Sequence, residues 1–327
     1  MSRLSRPRRS PRFSHRIEYL AFRLAAPVLG VCPHALRGPF AWAVALLWYY
    51  VIPIRRRVVL ENLRLAFPDC DAAWRGRTAR RCLVHFTRMM VFEALDLMRS
   101  GYRVRAGRPT RQARATSDLV AAVEGEEHAR AAGLGQRGCL VVSAHFGNWE
   151  LCISYFAQER GLHPAAVAKP MHNDLMEAVV DASRQRAGWE VISTRTNPIP
   201  PILRALRDGK AVALLADQDA RREGVFVSFF GRLASTPSGP AVLAVRLKMS
   251  LLLVLCRRGE DGRYRVRFYP PLSPDPAAPR EAEVERLTQA HVALLEEAVR
   301  EHPEQYFWFH NRWRTRPRSE RGELPEV

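Results

Sequence analysis

A mostly parallel α/β sheet flanked by helices, preceded by an apolar helical segment, is the fold this sequence predicts. Three observations carry it. From about residue 137 onward, short apolar runs of strand length alternate with stretches of helical spacing, the pattern of parallel strands joined by crossover helices. The 327 residues are 47% hydrophobic, enough for one large core plus something smaller. Ahead of the alternation, residues 17–54 form an apolar region of their own.

Taken in order, residues 1–16 are a basic arm of Arg, Pro and Ser, expected to be disordered. Ile17 to Cys32 carries Glu18 and Arg23 and reads as amphipathic, whereas Gly38 to Ile54 is uncharged and holds Trp42, Trp48, Tyr49 and Tyr50. The latter sits at the lower edge of a membrane span in length. It lies too far from the start for a cleaved signal peptide, and its aromatics suit a membrane interface. Basic clusters flank it, in the arm and at Arg55-Arg56-Arg57. A single crossing would leave one cluster outside; a shallow hairpin or an in-plane anchor keeps both on the cytoplasmic side. Residues 17–54 are therefore expected to anchor the chain to a membrane.

Residues 55–317 are expected to form the main domain. Its first part, 55–105, reads as helical: one helix ends near Asn62-Leu63 and Phe67-Pro68, and Leu83 to Met98 has helical apolar spacing with Met89, Met90, Phe92, Leu95 and Met98. That stripe reads as packing. Residues 103–118 are a basic surface loop, and the α/β core runs from about 120 to 317. Strands are expected at 139–144, 164–168, 189–193, 211–216, 251–257 and 263–269, and helices at 148–159, 172–187, 199–208, 238–248 and 281–301. No regular element is evident between Asp219 and Pro237, and a structureless stretch that long is usually functional. The tail 318–327 is charged and expected to be disordered.

The net charge of +18 and a pI near 10.7 point to an anionic partner, whether an acidic membrane surface, a phosphorylated substrate or nucleic acid. An uncharged 38–54 segment has no use in a nucleic-acid binder, so that class is set aside. The six cysteines are scattered without a C-x-x-C pair, against a zinc site or a disulfide framework. They read as free thiols.

Two motifs follow strands directly. The run Cys139-Leu-Val-Val-Ser-Ala ends in His145, and four residues separate His145 from Glu150. Within one helix the two would sit about 140° apart and could not meet. At a strand-to-helix turn through Gly147 and a capping Asn148 they can, and an imidazole held by a carboxylate is a general base. Asp217-Gln218-Asp219 follows the second apolar run, 211–216. Ligands of open α/β sheets lie outside the carboxyl ends of the strands, so both motifs point at one rim. Arg221, Arg222 and Arg232 fit either phosphate contacts or a solvated face. Ser143 lies outside any G-x-S-x-G elbow, against a serine hydrolase, and Cys152, two residues past Glu150, faces away from it. His310 reads as a packed or interfacial residue.

Further stretches complete an ordered set: Arg56-Arg57-Val58, Asn62-Leu63 and Ala66-Phe67-Pro68; Ser143-Ala144-His145-Phe146-Gly147-Asn148-Trp149-Glu150; Asp217-Gln218-Asp219; Phe229-Phe230-Gly231 and Gly239-Pro240-Ala241; Trp308-Phe309-His310, Arg312-Trp313 and Arg316-Pro317. In this order they resemble the bacterial lipid A late acyltransferases, the lauroyl and myristoyl transferases of the lysophospholipid acyltransferase-like superfamily, from about residue 17 to 317. The resemblance implies transfer of a fatty acyl chain from acyl carrier protein or acyl-CoA to a hydroxyl of a lipid A precursor, at the cytoplasmic face of a bacterial inner membrane. No cofactor or metal is implied. His145 would be the base and Glu150 the acid that orients it. Asn148, Trp149, Lys169, Arg184, Asp217, Gln218, Asp219, Arg221, Arg222, Phe229, Phe230, Gly231 and Arg232 would contact substrates. Two features depart from the pattern: Lys169-Pro170 stands where the family often has Arg-Pro, and the N-terminal basic arm is extra. Both bear on the acceptor, which could equally be a lysophospholipid, an ornithine lipid or another glycolipid.

Overall fold

The computed structural model describes residues 12–99 and 116–317. The first eleven residues of the arm, most of the 103–118 stretch and the tail 318–327 therefore lie outside the described residues.

Four helices lead the fold: α1 (Phe13–Gly30), α2 (His34–Tyr50), α3 (Arg56–Ala66) and α4 (Ala72–Thr87). Asp71 starts α4 by accepting the Trp74 backbone N–H at 2.6 Å, the usual satisfaction of an orphan helix-start donor. The chain then widens into a π-helical turn, Arg88–Glu93, before α5 (94–99). After α6 (Thr116–Leu119) come β1 (Val120–Glu124), α7 (Glu126–Ala131), β2 (Cys139–Ser143), α8 (Trp149–Glu159), β3 (Ala165–Ala168), α9 (Asp174–Arg186), β4 (Glu190–Ser193), α10 (Ile199–Arg207) and β5 (Ala211–Leu215). The remainder is β6 (Val225–Phe229), β7 (Arg232–Thr236), α11 (Gly239–Leu247), β8 (Leu251–Arg258), β9 (Tyr264–Phe268) and α12 (Arg280–Glu301).

The main sheet has the order β1-β9-β8-β2-β5-β3-β4. Every pair in it is parallel except β8 with β9. This is the expected mostly parallel α/β sheet. Strand β2 is central, buried on both faces, which is why its sequence is a continuous apolar run rather than an alternating one. Leu140 and Val142 enter the larger core with Leu251, Leu253 and Val212, while Cys139 and Val141 pack on the other face with Leu252 and Val254. The six expected strands and five expected helices are all present, within two residues at their ends. Strand β1 was not expected; its short run Val-Ala-Ala-Val-Glu carries little β-branched content.

Two expectations need correction. The 219–237 stretch is not irregular: β6 and β7 form an antiparallel hairpin, with a 3₁₀ turn at Arg221–Glu223 before it. Its tight turn is Phe230-Gly231, both with positive φ (54° and 68°), the backbone of a type I′ turn. Asn-Gly would have announced that turn; a phenylalanine in its first position does not.

The second concerns the N-terminal region. No helix among the described residues is long and apolar enough to cross a membrane, so the expected membrane anchor at 17–54 finds no spanning helix to support it. Part of α2 is engaged in packing instead. Ala41, Ala45 and Tyr49 are buried, with Ala45 and Tyr49 in the same cluster as Ala79, Cys82 and Leu83 of α4. Arg37 forms a buried ion pair with Asp96 at 2.5 Å. Helix α1 is different: Phe13, Ile17, Leu20, Leu24 and Val28 recur at helical spacing and are all exposed.

Candidate active site

The register of β2 against β5 builds the site. Cys139 pairs with Ala211 and Ser143 with Leu215, a constant offset along the strands. Two residues further on at each strand end stand His145 and Asp217, and their side chains meet: His145 Nδ1 lies 2.9 Å from Asp217 Oδ1. Asp217 is 2% exposed. Burial alone would raise its carboxyl, but the imidazole's charge and hydrogen bond outweigh this and hold it below the usual carboxylate range. The ionised carboxylate accepts the Nδ1–H, which leaves Nε2 as the basic nitrogen. The Gln218 amide is a looser neighbour, 3.4 Å from Nδ1. Trp149 meets the imidazole edge-on at 4.9 Å and Phe307 lies against it at 5.8 Å.

Glu150 is placed otherwise than expected. It opens helix α8 and forms a two-point ion pair with Arg184 of α9, through Nε and Nη2. Arg184 also reaches Asp181 at 3.4 Å and lies over the Trp189 ring at 5.1 Å. The acid on His145 is thus Asp217, and Glu150 with Arg184, two expected site residues, forms a separate pair between the helices that follow β2 and β3.

The turn that presents His145 is held from behind. Gly147 has φ +58°, and a Cβ there would run into the Cys256 carbonyl, so only glycine fits. His85 Nε2 contacts the Gly147 carbonyl at 3.1 Å. Asn148 caps α8 by accepting the Leu151 N–H at 2.9 Å and donates to Glu93 at 2.9 Å. Asn148 is 1% exposed, with both ends of its amide engaged in holding this turn. Glu93 also accepts from Tyr264 and Arg258. It sits in the π-helical turn, a feature that often marks functional positions.

The other expected contacts scatter. Lys169, Arg221, Arg222 and Arg232 are exposed, away from the imidazole's described contacts. Phe229 is fully buried against Trp313 and Tyr306, and Phe230 is buried beneath Arg300, so both belong to the core. Gly231 serves the hairpin turn. Asp219 receives Thr315 Oγ1 on its carboxylate at 3.0 Å.

A C-terminal segment closes the rim; its motifs belonged to the family resemblance, but none of its residues was expected at the site. Phe307 N–H donates to the His145 carbonyl at 3.0 Å, and Tyr306 Oη donates to the Asp217 carbonyl at 3.2 Å. Asp219 N–H donates to His310 Nε2 at 2.7 Å. Asn62 pins this segment through the carbonyls of Trp308 and His310, at 2.8 and 2.6 Å. Buried Arg312 ties it to the Ser235 carbonyl at 2.7 Å. The dense aromatic run Phe307-Trp308-Phe309 was the available signal. Beside it opens a cavity of about 530 Å³, lined by Val44 and Trp48 of α2, Phe86, Met90, Phe307 and Phe309, with Thr87, Gln218, His310 and Arg55 as its polar groups.

Two buried histidines make the scaffold acid-sensitive. Burial lowers both His85 and His291 from 6.5 to about 4. Above pH 6.5 both are neutral, folded or unfolded. As pH falls from 6.5 towards 4, the unfolded chain takes up protons that the folded chain refuses, so stability is lost across that window. The loss is roughly 3 kcal/mol per histidine by pH 4. Melting temperatures should fall steeply between pH 6.5 and 4; a flat profile would show that these histidines are not held neutral.

An imidazole hydrogen-bonded to a buried carboxylate, at the carboxyl ends of adjacent parallel strands and beside an apolar cavity, is an arrangement suited to acid–base chemistry in an α/β enzyme. The chain belongs to the bacterial lipid A biosynthesis acyltransferase family, whose profile matches residues 6–315. It is 31% identical over 204 residues to a lipid A biosynthesis palmitoleoyltransferase of Escherichia coli, covering 61% of this chain and 63% of that one. It is 28% identical over 269 residues to a lipid A biosynthesis lauroyltransferase of the same organism, covering 80% of each. It is 28% identical over 205 residues to a phosphatidylinositol mannoside acyltransferase of Mycobacterium tuberculosis, covering 62% of this chain and 61% of that one. The match to the first and third spans about three-fifths of their length.

Proposed function

We propose that this protein transfers a fatty acyl chain from a thioester, on acyl carrier protein or coenzyme A, to a hydroxyl of a lipid A precursor. The carrying observation is the His145–Asp217 dyad at 2.9 Å, with a cavity lined chiefly by apolar side chains alongside it. Nε2 of His145 takes the proton of the acceptor hydroxyl, and Asp217 holds the tautomer and stabilises the imidazolium. The oxygen attacks the thioester carbon. The tetrahedral intermediate collapses with loss of thiolate, which receives the proton from His145. No covalent acyl-enzyme is involved. The fatty chain of the donor lies in the cavity between α2, Phe86 and Phe309. Glu150 holds Arg184 in place near the rim, where its guanidinium can meet an acceptor phosphate.

The reaction takes place at the cytoplasmic face of an inner membrane. Support comes from the exposed apolar stripe of α1 and from exposed Trp42, Leu46, Leu47 and Tyr50 on α2. The stripe suits in-plane attachment, and the +18 charge favours an anionic surface.

A second reading keeps the chemistry and changes the acceptor to another glycolipid or a lysolipid. It is favoured by the match to a relative named for phosphatidylinositol mannoside, at the same 28% identity as the lauroyltransferase though over a shorter span. Purified protein, bound to anionic vesicles and given acyl carrier protein or coenzyme A thioesters with each acceptor in turn, should add one acyl mass to one acceptor. Release of the chain to water alone, or failure to co-float with vesicles in high salt, would refute the corresponding part.

A further inference from the structure

The dyad supplies the base but not the group that receives the oxyanion. The backbone amides nearest to His145 in the turn are taken. Phe146 N–H goes to the Ala144 carbonyl (2.7 Å), Gly147 N–H to the Gln305 carbonyl (2.9 Å) and Asn148 N–H to the Cys256 carbonyl (2.9 Å). In the segment that closes the rim, Phe307 N–H is held by His145 and Trp308 N–H by Tyr306. With these amides taken, the donor to a tetrahedral intermediate is either a side chain of the cavity or one of the first amides of α8.

Four polar side chains line the cavity, and one of them, Thr87, keeps its hydroxyl buried in the wall rather than presented to the cavity. Arg55 Nη1 is tied to the Phe309 carbonyl at 3.3 Å, which anchors the guanidinium at that carbonyl while its other N–H groups stay available to a substrate carboxylate or phosphate. Gln218 lies by Nδ1 of His145, on the Asp217 side of the ring and away from the basic Nε2. His310 is half-buried, and its Nε2 is fixed as an acceptor by the Asp219 N–H at 2.7 Å. In a neutral imidazole an accepting Nε2 requires the proton on Nδ1. Burial favours that neutral form, lowering His310 from its ordinary value, with Arg312 adding to the effect against Asp217 and Asp219. The ring therefore has one N–H, on Nδ1, and it belongs to a side chain of the cavity wall.

We propose that His310 is a second catalytic histidine, donating Nδ1–H to the thioester-derived oxyanion while the Asp219 amide locks its tautomer. The assignment rests on acyl transfer by His145. As the C–O bond forms, the carbonyl π electrons move onto oxygen, and His310 donates a hydrogen bond to that charge without giving up its proton. When the C–S bond breaks, the carbonyl re-forms and the proton on His145 leaves with the thiolate.

Steady-state kinetics of His310→Ala and His310→Gln test this, with circular dichroism to check folding. Removing one oxyanion donor should lower kcat by about 10²–10³-fold and leave KM for both substrates nearly unchanged. Gln offers a carbonyl for the Asp219 amide and an N–H for the oxyanion, so it should recover a measurable part. A wild-type kcat in His310→Ala, a defect confined to KM, or no recovery by Gln would overturn the assignment and point to the first backbone amides of α8. In the wild-type protein, the ¹⁵N signal of His310 Nδ1–H should move on addition of dodecylphosphonate, a tetrahedral anion with an alkyl chain. An unmoved signal overturns the proposal without any variant. If His145→Ala also turns over normally, the acyl-transfer reading itself fails. If His145→Ala is inactive and His310→Ala is not, only this assignment falls.

Discussion

His145→Ala protein should fold, bind vesicles as the wild type does, and lose acyl transfer by roughly 10²–10⁴-fold, the usual contribution of a positioned general base. The side chain is 24% exposed at the rim, so its removal opens little of the core. The main chain there is held independently, through the His145 carbonyl and Phe307 N–H. The effect should appear in kcat, because the base acts as the hydroxyl attacks and not when the donor binds. Turnover near the wild-type rate by well-folded His145→Ala would remove the mechanism altogether.

Asp217→Asn should be nearly as damaging, with an expected fall of roughly 10²–10⁴-fold in kcat. The substitution keeps the shape of the side chain but takes away the charge that stabilises the imidazolium. Its amide can also donate to Nδ1, which would put the ring proton on Nε2 and block the base. ¹⁵N NMR of the imidazole reads this directly: the proton sits on Nδ1 in the wild type and shifts towards Nε2 in Asp217→Asn. Glu150→Gln provides the contrast, since Glu150 faces Arg184 and not the imidazole. It should leave the His145 tautomer unchanged, whatever it does to acceptor binding. A tautomer change in Glu150→Gln, with none in Asp217→Asn, would return the orienting role to Glu150.

The two carboxylates illustrate what a sequence can and cannot convey. His145 was legible as a candidate base because it ends a strand and precedes a glycine turn and a helix cap, all local features. Its partner was not. Glu150 lies close in sequence, and a strand-to-helix turn permits the contact in principle. Asp217 lies 72 residues away and becomes the partner only because β2 pairs with β5 in one particular register. Arginine decided the rest. Arg184 arrives from α9 and engages Glu150, a pairing no spacing rule foretells.

The same contrast holds at Phe229 and Phe230. The family resemblance placed both among the substrate contacts, yet Phe229 stacks on Trp313 and both rings are buried in the core. His310 shows the opposite case, a residue that read as mere packing until the Asp219 amide fixed its tautomer.

Taken alone, the sequence determined the strands, the helices and their alternation, because apolar period and helix caps act over a few residues. It also determined which strand ends bring polar side chains to the rim, since polar residues directly after buried runs must emerge there. Only the tertiary structure decided which carboxylate holds His145, which aromatics line a cavity and which fill the core, and that one face of α2 packs on α4. The reason is physical. These outcomes depend on strand register and on helix-to-helix packing, contacts between residues far apart in the chain, for which the local pattern of apolar and polar side chains holds no record.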